Sequence, residues 1–131
     1  VAGLDAVRRG QFGAAVNIFL RAAHADPGDQ EIMNNLAHAL FKNGQLAEGR
    51  SAAIAALVIA PERTTAWAEL AQILASEGRT EMAIAGFLLC YLYSKDRNRT
   101  RDFLLKLTED GDASANVRSA ATQTLNRLGL N

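Results

Sequence analysis

Three glycines, Gly10, Gly44 and Gly78, stand 34 residues apart, and the residues around them keep the same interval. Leu36 and Leu40 recur as Leu70 and Leu74. The chain's two prolines, Pro27 and Pro61, fall on the same grid. So do the small residues Ala15, Gly49 and Ala83, and the series Phe19, Ala53 and Phe87. A period of this size, carried by small, apolar and turn residues, marks a stacked helical repeat. Its fullest copy runs from Trp67 to Phe87, where two helical patterns meet at Gly78.

Residues 1–9 read as a helix with Leu4 and Val7 on one face, ended by Gly10, because glycine enters the left-handed region cheaply. Phe12 opens a second helix whose face is Ala15, Val16, Phe19 and Ala22. Asp26-Pro27-Gly28-Asp29 closes it, since proline disfavours helix in the residue before it and has no N–H to donate. Asp29 is placed to cap the next helix. That helix, residues 30–43, presents Met33, Leu36, Ala37, Leu40 and Phe41, and Gly44 ends it. Its partner, 46–60, presents Ala53, Ala56, Leu57 and Ile59. The pattern repeats at 64–77 (Trp67, Leu70, Ala71, Leu74) and 80–94 (Ala83, Ile84, Phe87, Leu88). Apolar residues nowhere alternate as in a strand, and alanine makes up about a fifth of the chain, so the fold class is all-α.

Beyond residue 95 the grid degrades. Lys95 stands where the prolines stood, Asp112 where the glycines stood, with Gly111 beside it, and Val117 replaces the small residue. Two helical stripes persist, Phe103, Leu104 and Leu107, then Val117, Ala121, Leu125 and Leu128. A stack of repeats needs an end unit with a polar outer face. The expected organisation is one domain of about eight helices, with repeats at 1–28, 29–62 and 63–96 and a capping hairpin at 97–131.

Charge and composition exclude several functions. With 14 basic and 14 acidic residues, no bulk field favours nucleic acid, and the basic run Lys95, Arg97, Arg99, Arg101 lacks interleaved aromatics. No apolar run is long enough for membrane insertion. Cys90 is the sole cysteine, so no internal disulfide or cysteine-based metal site can form. It shares a repeat position with Ala22 and Ala56, which makes it a buried thiol rather than a nucleophile. His24 and His38 fall on different helices, and no phosphate loop, nucleophile elbow or metal-ligand spacing occurs. The chain reads as a non-enzyme with no cofactor and no metal. Arginine outnumbers lysine 11 to 3, which fits a GC-rich, bacterial source, in cytoplasm or periplasm. In that setting the sequon Asn98-Arg99-Thr100 carries no meaning. Val1 is not an initiator and opens inside a helical pattern, so the chain is expected to be a piece of a longer protein.

The pattern resembles the tetratricopeptide repeat, whose signature is W-x2-L-G-x2-Y, then A-x3-F, then P. Trp67, Leu70, Ala71 (for the glycine), Leu74 (for the tyrosine), Ala83 and Phe87 stand at those spacings. Repeat one offers Gly3, Ala6, Ala15, Phe19 and Pro27; repeat two offers Met33, Leu36, Ala37, Leu40, Gly49, Ala53 and Pro61. The resemblance covers residues 1–95 well and 96–129 weakly. It implies an α-solenoid of antiparallel hairpins wound as a right-handed superhelix. It further implies a scaffold or adaptor module that holds a peptide or helix of a partner protein in a concave groove, lined mainly by the first helix of each hairpin. One subgroup grips a partner's C-terminal carboxylates with Lys, Arg and Asn. Asn35 falls at a matching place, but Leu4, Thr65 and Glu69 stand where Lys, Asn or Arg would be wanted, and Glu69 would repel a carboxylate. That mode is therefore not expected here.

Helix phase turns Asn34, Asn35, His38, Phe41 and Lys42 of the second repeat toward the concavity, with Thr65, Glu69, Gln72 and Ser76 of the third and Arg8 of the first. Amide side chains satisfy both groups of a peptide bond, which suits an extended partner. Paired asparagines inside a helix have poor propensity, so they either serve the groove or are merely solvated. Arg99, with Lys106 on the same side, is either an anion or acidic-peptide contact at the groove's end or part of a solvated turn. Residues 87–93 are apolar all round. The expected cover is the third repeat on one side and residues 98–128 on the other; the alternative is that Tyr91 or Tyr93 reaches a partner or a second copy, giving a homo-oligomer. The second function class is accordingly a regulatory or self-associating part of a larger bacterial enzyme or an envelope or secretion assembly.

Overall fold

The glycine grid is a backbone grid. In the computed structural model, which describes residues 2–130, Gly10, Gly44 and Gly78 take φ of 74, 80 and 81°. The expected placements of Val1 in the first helix and Asn131 in the cap lie outside those residues. A side chain at such a φ costs about 1–2 kcal/mol. Each glycine follows a helix and closes the same pair of hydrogen bonds: Gly44 N–H to Phe41 C=O at 3.1 Å and Gln45 N–H to Leu40 C=O at 2.9 Å, with matching bonds at Gly10 and Gly78. These satisfy carbonyls that a helix end leaves unpaired. The next residues, Gln11, Gln45 and Arg79, also share one conformation, with φ of −90, −89 and −90°.

The described residues form eight helices: α1 Ala2–Arg8, α2 Phe12–Ala25, α3 Gln30–Lys42, α4 Leu46–Ile59, α5 Thr64–Ser76, α6 Thr80–Tyr93, α7 Arg97–Glu109 and α8 Ala115–Leu128. No strand occurs among the described residues. Asp29 caps α3 as expected, its Oδ1 accepting the Ile32 N–H at 3.2 Å. Asp96 caps α7 through the Arg99 N–H, and Ser114 caps α8 through the Val117 N–H.

Hairpins α1–α2, α3–α4 and α5–α6 stack in order, α2 on α3 and α4 on α5. Small residues set the spacing. Ala15, Ala37, Ala53, Ala71 and Ala83 are wholly excluded from solvent. A methyl group added to Gly86 would lie 3.0 Å from the Ala71 Cβ, tighter than ordinary contact. Phe87, Ile73 and Ile84 fill the volume between helices, each burial contributing about 1.5–3 kcal/mol. Trp67 is half-buried, and its Nε1–H donates to the Pro61 carbonyl at 3.2 Å, tying α5 to the preceding turn.

The terminal hairpin departs from the repeat. In the stack a hairpin's first helix docks on its neighbour; here α8, not α7, is the main partner of α5 and α6, and α7 is held chiefly by α8. The turn chemistry differs too. Asp110 is extended (φ −71°, ψ 108°), its Oδ1 accepts the Asp112 N–H at 2.9 Å, and Arg118 donates to the carbonyls of Asp110 and Ala113. A loop over 110–114 thus replaces the tight left-handed turn and frees the hairpin from the repeat's angle. Leu104, Val117, Ala120, Ala121 and Leu125 form its core, and the Thr124 hydroxyl, fully buried, donates to the Ala120 carbonyl at 2.8 Å. The cover over 87–93 is partial rather than complete: Phe87 and Cys90 are buried, but Leu92 and Tyr93 remain 50% and 60% exposed.

Candidate functional site

Helices α3 and α5, the first of successive hairpins, pack on each other as well as on α4. Their outward faces are the candidate groove.

Four turns of two helices build the floor. On α3, residues 34, 38, 41 and 42 recur at helical spacing and share a face; on α5, residues 65, 69, 72 and 76 do the same. His38 and Glu69 join the helices, with Nδ1 and Oε1 2.8 Å apart. An ionised carboxylate only accepts, so the imidazole Nδ1 carries the shared proton. Glu69 is the more enclosed partner, its side chain 14% exposed against 35% for His38. Its second oxygen, Oε2, is buried without a hydrogen-bond partner, as is Asn34 Oδ1. Asn35 is half-buried beside Asn34, and Gln72 spends one N–H on the Ala68 carbonyl at 3.4 Å.

An open cavity of about 320 Å³ lies at the C-terminal ends of α3 and α5. α3 contributes Phe41 and Lys42, α5 contributes Gln72 and Ser76, and the opposite wall is Asp110, Asp112, Ser114 and Val117 of the cap. The Lys42 ammonium sits 5.5 Å from the centre of the Phe41 ring. The wall arises from the cap's altered docking: α8 reaches α5, so the start of α8 and the loop before it face the ends of α3 and α5.

The remaining expected residues scatter. Arg8 is exposed and paired with Asp5 at 2.7 Å; Thr65 is exposed on the first turn of α5. Arg99 and Lys106 do not line this cavity. They lie on α7, which does not dock on α5, and Lys106 borders a second hollow with Phe103, Leu107, Glu109 and Asp110, the last shared with the first cavity. The wall residues Asp110, Asp112, Ser114 and Val117 escaped the sequence reading. The one signal for them was Asp112 at a glycine position, which marks a turn of another kind.

Cys90 is buried, its Sγ 3.6 Å from the Thr64 carbonyl, and burial pushes the thiol from 9.0 up to about 11. A thiol of that kind stays protonated at neutral pH and is a poor nucleophile. Among the described residues no three His, Cys, Asp or Glu side chains gather as for a metal ion, and no helix is long and apolar enough to cross a membrane.

The fold is an α-solenoid of helical hairpins. The chain belongs to the tetratricopeptide repeat family, whose sequence profile matches residues 1–63 and 34–95. Among solved structures it resembles the tetratricopeptide repeat domain of Sgt2 from Aspergillus fumigatus (17% identity, TM-score 0.71, covering 98% of this chain and 75% of that one). It is also similar to the first such domain of Spaghetti (RPAP3) bound to the HSP90 peptide SRMEEVD (14%, 0.72, 98% and 88%). A third is the Yersinia enterocolitica type III secretion chaperone SycD in complex with a peptide of the translocator YopD (13%, 0.76, 97% and 89%). At these identities the likeness shows the fold. No curated protein matches the chain significantly.

Proposed function

We propose that this chain is a non-catalytic protein-interaction module that holds a peptide or helix of a partner protein in the groove along α3 and α5. The observation that carries the reading is the floor itself. Asn34, Asn35, His38 and Gln72 are polar, half-buried and ordered on facing helices, and they run into a cavity large enough for a side chain. Half-buried amides without complete partners within the chain suit the N–H and C=O groups of a bound backbone. Two structures of this fold, those of RPAP3 and SycD, hold peptides, which supports the reading. A carboxylate-gripping groove is disfavoured by the Glu69 carboxylate in the floor.

Peptides selected on the immobilised protein from a displayed library of random linear sequences test it. The Asn35→Ala, His38→Ala double variant is expected to bind them about ten-fold or more weakly, the loss typical of interface anchors. Unchanged affinity would remove the groove from the account.

A second reading is self-association within a larger assembly. Tyr93 and Leu92, and Ile59 and Val58 one repeat earlier, expose 60, 50, 38 and 78% of their surface. Sedimentation equilibrium decides it: a dimer that Tyr93→Ser plus Val58→Ser dissolves would favour assembly, and a monomer at every concentration would exclude it.

A further inference from the structure

We infer that His38 Nε2 is the acceptor on which the groove takes a backbone N–H of its partner, and that Glu69 makes it one by holding the ring's proton on Nδ1. This rests on the groove reading and names the atoms that a bound segment meets.

The two nitrogens of an imidazole set each other's role. Nδ1 lies 2.8 Å from Glu69 Oε1, and an ionised carboxylate cannot donate. In the neutral ring the proton therefore sits on Nδ1, and Nε2 carries a lone pair. Among the described residues Nε2 makes no hydrogen bond, and it is not one of the enclosed atoms that lack a partner, so it is open to solvent. The ring is also the sole donor to Glu69, which has no lysine or arginine partner among the described residues. No other charge competes for either group. On α3 itself Lys42 rests over Phe41, and Glu31 is exposed. On α4, Arg50 pairs with Glu77 at 3.4 Å, and Glu48 accepts from Gln45. Arg21 and His24 of α2 are exposed, and Arg8 pairs with Asp5. Asn34, one turn before His38, has the opposite bonding sense. Its Oδ1 is buried without a partner while its Nδ2 is not enclosed, so the amide offers N–H to the groove. A donor and an acceptor one turn apart match the C=O and N–H that a single extended residue turns to one side. With the proton on Nε2 instead, both positions would donate, and the partner's N–H would face another donor.

A library-selected peptide, remade with single N-methylated residues, tests this by titration against isotope-labelled protein. One methylation should weaken binding to the parent about ten-fold and have no effect on binding to His38→Ala, the coupling expected of one hydrogen bond left unmade. Nitrogen shifts of the labelled ring should place the proton on Nδ1 in the parent. Glu69→Met removes the group that holds it there, so the ring should move toward the Nε2–H form, with binding about three-fold or more weaker. A merely structural role for Glu69 would not move the ring proton, and the parent's ring and the methylated peptides decide the matter should this variant fold poorly. Affinity should also fall from about pH 8 to about pH 5, where a histidine ring gains its second proton, and hold level in His38→Ala. A parent ring protonated on Nε2, a ring proton that ignores Glu69→Met, no methylation whose effect depends on His38, or binding that strengthens on acidification would each overturn the inference. If the peptide still shifts the amides of α3 and α5, the proposed function stands without it; a peptide that shifts neither helix removes both.

Discussion

His38 on α3 and Glu69 on α5 meet at 2.8 Å, a single polar bond between the first helices of successive hairpins. The pair ties together two helices that otherwise pack mainly on α4 and on their own hairpin partners. Removing His38 leaves both Glu69 oxygens without partners in a mostly enclosed site, at a cost of about 1–3 kcal/mol. His38→Ala should therefore lower the urea-unfolding free energy by that amount. The His38→Ala, Glu69→Met double variant should recover part of the loss, because no orphaned carboxylate remains. A double variant less stable than the single one would refute this view of the pair.

Close approach at Gly86 makes a second prediction. Its helix lies against Ala71, fully buried, with 3.0 Å between the Ala71 Cβ and an added methyl group. Gly86→Val overfills this contact and should destabilise by about 1–3 kcal/mol. The gain in helix propensity over glycine, under about 1 kcal/mol, does not offset that. Thermal unfolding followed by circular dichroism measures it.

The turn glycines predict a smaller, local effect. Gly78→Ala forces a side chain into φ of 81° in open space, so only the backbone term applies, about 1–2 kcal/mol. The same change at Gly111, which is not among the positive-φ glycines, should cost little. Equal losses at the two sites would contradict the assignment of the repeat turn.

Cys90 gives a pH dependence. Its folded pKa lies near 11, above the ordinary 9.0, so the unfolded chain releases this proton first. The contribution is fully present below pH 9 and is lost as pH rises toward 11, about 2–3 kcal/mol at its full extent. Stability should fall less steeply over that window in Cys90→Ala than in the parent. Parallel slopes would show that the thiol titrates normally.

Much of this architecture was legible because the repeat is written in residues with narrow backbone roles. Gly10, Gly44 and Gly78 announced three left-handed turns, Asp29 a cap, and the alanines the close contacts; each depends on a few neighbours in sequence. Helix phase alone groups Asn34, His38 and Phe41 on one face of α3 and Glu69 and Gln72 on one face of α5. The cap was legible only as two helices. Which of them docks on α5 depends on the turn at 110–114 and on packing of Val117 and Leu125 against residues distant in sequence, and no periodic pattern encodes that choice. Arg99 and Lys106 were read from a basic run, and the hairpin that carries them leaves the repeat geometry. Leu92 and Tyr93, apolar in sequence, remain exposed for the same reason.

The most direct test of the groove is a map of amide shifts across the whole isotope-labelled protein as a library-selected peptide is titrated in. The account predicts a continuous band through Asn34, Asn35, His38, Phe41, Gln72 and Ser76 that ends at Asp112 and Ser114, and its disappearance in the Asn35→Ala, His38→Ala variant. Shifts confined to the outer faces of α4 and α6, around Val58 and Tyr93, would contradict it.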